Sequence, residues 1–199
     1  LLYVSPTKGR TRIRPIAAPG GAPRALAADA HNNWRPRFSP DGATVAFLSD
    51  RAGVNNVWAV AATGGEPRQV TTGPGADHAT FWSRDGQWLS MHRTVGSQHD
   101  IWIVPAAGGD PVQVTNDKND ESGGDWTADG RGLIYARAVA KQHLWVLDVD
   151  SGTARQLTEG TANEYGPDLS PDGRLVAYVS DSSGMGDIRV IPIEGGAAR

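Results

Sequence analysis

The sequence predicts an all-β fold, a β-propeller built from four-stranded antiparallel blades. Three observations carry this. First, a turn is written four times: "FSPDG" (38–42), "WSRDG" (82–86), "WTADG" (126–130) and "LSPDG" (169–173), its Asp recurring at 41, 85, 129 and 172. Second, an apolar marker holds the same step, at Ile13, Val57, Ile101, Leu144 and Ile188, and each is followed eight residues later by a glycine: 21, 65, 109, 152 and 196. Third, "QVT" or "QLT" stands at 69–71, 113–115 and 156–158, with "ALA" in phase at 25–27. A period in the forties with several short strands per unit is the signature of propeller blades.

The elements follow in order within each unit. In the second, "RPRFS" reads as strand a, "TVAFLSD" as b, "NNVWAVAA" as c and "PRQVT" as d. The a–b joint places Pro where φ near −65° is wanted, then Asp, then a Gly that accepts positive φ. "TGGEP", "AGGDP" and "DSGTA" join c to d with the same glycine chemistry. No segment sustains a 3.6-residue apolar period, so no helix is expected. Val45, Phe47, Leu89 and Tyr135 are expected between blades, as are Phe38, Trp82, Trp126 and Leu169 just before the turn. Trp58, Trp102 and Trp145 recur in phase on strand c and are read as inter-blade core, the other reading being a ligand-binding aromatic row.

Residue 1 is in phase with Val45 and Arg199 with Arg155 and Arg68. The chain is thus expected to form one propeller domain, 1–199. Its repeats are 1–33 (partial), 34–77, 78–121, 122–164 and 165–199 (partial). That is about 4.5–5 blades, read as part of a six- or seven-bladed ring. Five incomplete blades closing through their two ends is the alternative. Unpaired edges at the terminal blades make an edge-mediated dimer an expectation.

Composition limits the partners. The 199 residues carry 19 Lys+Arg and 22 Asp+Glu, net −3, interspersed rather than in runs, so nucleic acid is not expected. No apolar run reaches a membrane span, so no membrane insertion is expected. With no Cys, disulfides and thiolate metal sites are excluded. The 25 Gly and 13 Pro mark a turn-rich chain, and seven Trp need a packed structure to bury them.

The unit "FSPDGATVAFLSDRAGVNNVWAVAATGGEPRQVT" resembles the WD-repeat-like unit of TolB-type propellers, in the phase of "SPDG", "NVW", "GG" and "RQVT". The resemblance implies a periplasmic or secreted location and binding of a protein or peptide partner, as in the cell-envelope complex of TolB. The α/β domain that precedes the propeller in TolB itself has no counterpart in these residues. Similar units also form the propellers of prolyl oligopeptidase-type peptidases and of some amidohydrolases. A substrate-gating propeller of a larger hydrolase is therefore one alternative, and a metal-dependent enzyme with its site on the rim, such as a polysaccharide lyase, is another.

No G-x-S-x-G elbow, H-E-x-x-H, Walker loop or G-x-G-x-x-G occurs in the sequence, and no catalytic residue is assigned. The better candidates come from position. The d–a connections, residues 28–35, 72–79, 116–124 and 159–166, are brought to one rim near the axis. They carry Asp29, His31, Trp34, Asp77, His78, Asp120, Glu121, Glu164 and Tyr165 as candidate ligand-binding residues, Trp34 being in phase with His78. No cofactor is expected, with a divalent metal held by His31, His78 and Glu121 or Glu164 as the alternative to a solvated polar rim. "DKNDES" (117–122) has a calcium-loop composition without EF-hand spacing and is read as a solvated loop. His92, His99 and His143 are read as packing or surface residues. The four turn Asp residues belong to the opposite face.

Overall fold

Each apolar marker fixes the same local ladder. The N–H of Leu26 donates to the carbonyl of Ile13, and the pattern repeats as Val70 to Val57, Val114 to Ile101 and Leu157 to Leu144. These bonds dock strand d on strand c in successive blades. The structure, a computed structural model, describes residues 2–7, 10–15, 25–26 and 30–199. Among them every regular element is a strand and all pairing is antiparallel.

The first sheet pairs β1 (Leu2–Thr7) with β2 (Arg10–Pro15). The second is β3 (Asn33–Phe38), β4 (Thr44–Ser49), β5 (Asn56–Ala61) and β6 (Arg68–Gln69), in that spatial order. In the third, β7 (Ala76–Asp77) and β8 (Phe81–Trp82) both pair with β9 (Trp88–Val95), so they are two halves of one broken first strand. The sheet continues through β10 (Gln98–Pro105) and β11 (Val112–Gln113). The fourth is β12 (Asp120–Trp126), β13 (Gly132–Ala138), β14 (Gln142–Asp148) and β15 (Ala154–Gln156). The fifth is β16 (Glu164–Leu169), β17 (Leu175–Ser180) and β18 (Asp187–Pro192), with Arg199 exchanging two backbone bonds with Val190 where a fourth strand would lie.

Where two sheets neighbour each other, stacking buries the facing surfaces. Ile13, Val45 and Phe47 form the layer between the first two blades. Leu48, Val57, Leu89 and Met91 form the next, Ile101, Trp126 and Tyr135 the third, and Leu144, Val176 and Tyr178 the fourth. Val45, Phe47, Leu89 and Tyr135 are fully buried. The expectation for the position before the turn holds less evenly: Trp126 is buried, Trp82 and Leu169 are partly so, and Phe38 is 40% exposed. Phe38 sits at the axial mouth on the turn side, in a pocket shared with Arg37, Phe81, Trp82 and Asp168, so no neighbouring sheet covers it. Trp58, Trp102 and Trp145 pack against the inter-blade layers, and an arginine caps each ring: Arg51 over Trp58, Arg93 over Trp102 and Arg137 over Trp145.

The a–b turn explains its own sequence. The Ser39 hydroxyl donates to Asp41 Oδ1 at 2.5 Å, the same oxygen accepts the Ala43 N–H at 3.0 Å, and Gly42 turns back with φ 71°. Ser83/Asp85, Thr127/Asp129 and Ser170/Asp172 repeat this. Those hydrogen bonds hold all four carboxyls below the ordinary Asp range.

Candidate functional site

Strand a is the strand nearest the axis, and it is bulged at the same place in three blades. The ladder shifts between Trp34 and Arg37, between Gly123 and Asp125, and between Tyr165 and Asp168. The third blade breaks its strand at the corresponding residues, 78–80. A bulge places two residues opposite one and re-aims the side chains that follow. The backbone there takes positive φ at Gly123, Gly124 and Gly166. In the second blade the same conformation falls on Arg35, φ 47°, the one non-glycine residue with positive φ among those described.

The residue before the bulge points into the structure and is buried in each blade: Asn33, Asp77, Glu121 and Glu164. Asp77 is fully buried. Its Oδ1 accepts from Arg93 Nε at 2.7 Å and its Oδ2 from the Thr71 hydroxyl and the Val57 N–H. Glu121 accepts from Arg137 Nε at 3.0 Å and from the Thr115 hydroxyl at 2.7 Å. Burial and the nearby Asp117 carboxylate push Glu121 up to about 7, against the pull of Thr115 and Arg137. Glu164 lies 3.3 Å from His143 Nδ1. Asn33 takes Arg51, which reaches it from two residues beyond the slot that Arg93 and Arg137 use. The threonine of "QVT" is part of the device, since it accepts the N–H of the apolar marker in its own blade and donates to the carboxylate of the next.

The remaining predicted residues lie apart from these. His31 is half-exposed with Nδ1 3.8 Å from Asp50. Trp34 packs on the layer between the second and third blades. Asp120 is exposed and accepts the His99 N–H at 3.3 Å. Tyr165 is 41% exposed beside its own bulge. Asp29 falls outside the described residues. The four expected metal donors, His31, His78, Glu121 and Glu164, have different partners, respectively Asp50, Thr94, Arg137 and His143. Among the described residues no group of three or more His, Asp or Glu is arranged to hold a metal ion.

What the fold does bring together is a histidine corner. His78 stacks on His92 with ring centroids 5.1 Å apart and planes 9° from parallel, and on His99 at 5.7 Å and 28°. His78 Nε2 is 2.6 Å from the Thr94 hydroxyl, and His92 Nδ1 accepts the Gly123 N–H at 3.4 Å, leaving Nε2 to carry its proton. Burial, then the neighbouring His78 and His99 and the Arg35 guanidinium, push His92 down to about 3. Burial, His99 and Arg35 lower His78 too, over the opposing effect of Asp77. His92 and His99 were expected as packing or surface residues. Their meeting with His78 follows from register: Trp34 faces Leu48 across the a–b ladder, so one period later His78 faces His92, while His99 pairs with Thr94 on the b–c side.

Stacked antiparallel blades with bulged inner strands define a β-propeller. The profile of the TolB beta propeller domain matches residues 1–199, and the chain belongs to that family. A protein assigned as TolB from Agrobacterium tumefaciens has a similar solved structure, TM-score 0.76 and 26% identity over 89% of this chain and 64% of that one. TolB from Acinetobacter baumannii superposes over all of this chain and 51% of its own with TM-score 0.86. At 20% identity that likeness speaks for the fold alone. Tricorn protease homolog 1 of Streptomyces coelicolor is 33% identical over 60 residues, 30% of this chain and 6% of that protein. The chain thus spans less than two thirds of the length of each of these proteins.

Proposed function

We propose that this propeller is a non-catalytic recognition module that binds a protein or peptide through its d–a rim and axial opening. One observation carries the reading. The repeat is faithful wherever it builds core or turn, and it departs from itself at the mouth, where the bulged strands set Arg35, His78 and Tyr165 at positions other blades fill differently. Chemical diversity confined to a single opening on a regular scaffold is how repeat folds make binding sites. Membership of the TolB family supports a protein partner and a periplasmic or secreted location.

The test is site-specific photo-crosslinking in the producing cell, with the reactive residue at Trp34 or Tyr165 on the mouth and at Asp129 or Asp172 on the turn face. A discrete adduct from the mouth positions alone is expected. Adducts from the turn face alone would overturn the assignment of the surface.

A second reading is favoured by the segment shared with a tricorn protease homolog: a propeller that admits substrate to a hydrolase domain. There the same opening would filter extended peptides, and the flanking reading frame would encode a catalytic domain.

A further inference from the structure

We propose that the axial mouth anchors its partner through a carboxylate, held by Arg35 with His78 and His99 beside it. This rests on the recognition reading and gives that site its chemistry. Arg35 is exposed and has no hydrogen-bond or ion-pair partner among the described residues. It lies on β3, which packs beside β8 of the histidine blade, and its charge acts on both His78 and His92. Its backbone holds φ 47°, where the corresponding residues of the fourth and fifth blades are Gly123 and Gly166. An exposed arginine kept in a conformation that glycine adopts freely is strain retained at a surface that nothing among the described residues requires to be charged.

The described surroundings leave the Arg35 charge without a carboxylate partner, on a chain of net charge −3. Asp77, the nearest buried carboxylate, is already matched by Arg93 at 2.7 Å. Asp100 is buried and bonded to Gln113. Asp117 pairs with Arg137 at 2.8 Å. Asp120 is the one carboxylate against His99 that is exposed, and it meets the backbone N–H rather than the ring. A guanidinium fork with imidazole N–H donors beside it matches the two oxygens of a carboxylate. The carboxylate is an acidic side chain or a chain terminus, and the assay separates these.

The probes are three pentapeptides: acetyl-Gly-Ala-Glu-Ala-Gly-amide, its Gln counterpart with a free C-terminus, and the Gln amide as the uncharged blank. Binding is followed in the whole chain by the ring signals of His78 and His99 in NMR titrations, and each variant's fold is checked by its amide spectrum. One or both carboxylate peptides are expected to give saturable shifts at those two rings, and the blank none. Arg35→Gly should weaken carboxylate binding at least ten-fold while melting about 2–4 °C higher, because the strain leaves with the charge. Asp120→Asn should tighten it severalfold by removing the competing carboxylate.

Equal shifts from the blank and the carboxylate peptides, or unchanged binding in Arg35→Gly, would overturn the proposal. If mouth crosslinking persists in Arg35→Gly, the recognition module stands and the carboxylate anchor falls. If the carboxylates titrate His78 and His99 while no mouth crosslink forms, the anchor stands and the protein-binding reading falls.

Discussion

Replacing Arg93 by methionine isolates the device that joins the second and third blades. Arg93 and Asp77 are 2% and 0% exposed at their side chains, and Arg93 also donates from Nη1 to the Thr72 carbonyl at 3.0 Å and covers the Trp102 ring. Without it, Asp77 keeps the Thr71 and Val57 donors on Oδ2, but Oδ1 loses its only hydrogen-bond donor. Removing one member of a buried ion pair costs about 3–5 kcal/mol, chiefly through the charge left behind. For a chain of this size that is a fall in Tm of roughly 6–20 °C. Guanidinium unfolding at pH 7, followed by the fluorescence of the seven Trp, measures it. The second blade supplies the control, since it fills the same slots with the neutral Asn33 and Ser49. Asp77→Asn in the Arg93→Met background should therefore recover about half the loss or more. A loss below about 1 kcal/mol in Arg93→Met, or a double variant less stable than the single, would refute the reasoning.

Three further outcomes follow from other features. Gly42 and Gly173 share φ near 70°, but a methyl at Gly42 meets open space while one at Gly173 runs into Ala128 of the neighbouring turn. Gly42→Ala should lose about 1–2 kcal/mol and Gly173→Ala clearly more, by thermal melting. His92 and Glu121 should oppose each other with pH. The His92 pKa of about 3 makes the fold lose up to about 1.4 kcal/mol per unit as pH falls below the unfolded value near 6.5. The Glu121 value near 7 makes it gain as pH falls from 7 toward the unfolded value near 4.3. His92→Gln should expose the Glu121 slope, and Glu121→Gln the His92 slope, in denaturation midpoints between pH 5 and 7. Ile188 is 78% exposed where its counterparts Val57, Ile101 and Leu144 are at 0%, so the 199-residue chain should self-associate through this edge. Sedimentation should show Ile188→Lys shifting the equilibrium to monomer, and a monomeric wild type at all concentrations would refute it.

The blades were legible because each marker repeats a physical necessity. "DG" recurs because Asp accepts two hydrogen bonds inside the turn and the glycine must take positive φ. "QVT" recurs because its threonine closes the ladder on strand c and reaches the next blade. The mouth was legible only in outline. Its connections are drawn to one rim by topology, but the burial of Asp77, Glu121 and Glu164 depends on Arg93 and Arg137 from a neighbouring strand of the same blade and on His143 from the preceding blade, of which only the two arginines are marked in the sequence, by their 44-residue step. The bulge hid the rest. It breaks the two-residue alternation from which inward and outward faces are read, so Phe38 emerged exposed and Arg35 went unremarked. The meeting of His78 and His92 was within reach, because one in-phase pair, Trp34 and Leu48, fixes it.

That same bulge sets how freely the opening can be rewritten. The ladder resumes its pairing on either side of the extra residue, and the buried slot before it is held by its own polar partner. At residues 35 and 166 the side-chain position is exposed and outside the inter-blade layer, whereas the third blade fills the equivalent place with the buried Ala79. The mouth therefore has a few replaceable letters on a fixed frame, each written at positive φ. Affinity for a new partner should be selectable by changing residues 35 and 166 together, with a modest fall in melting temperature for each non-glycine residue placed there.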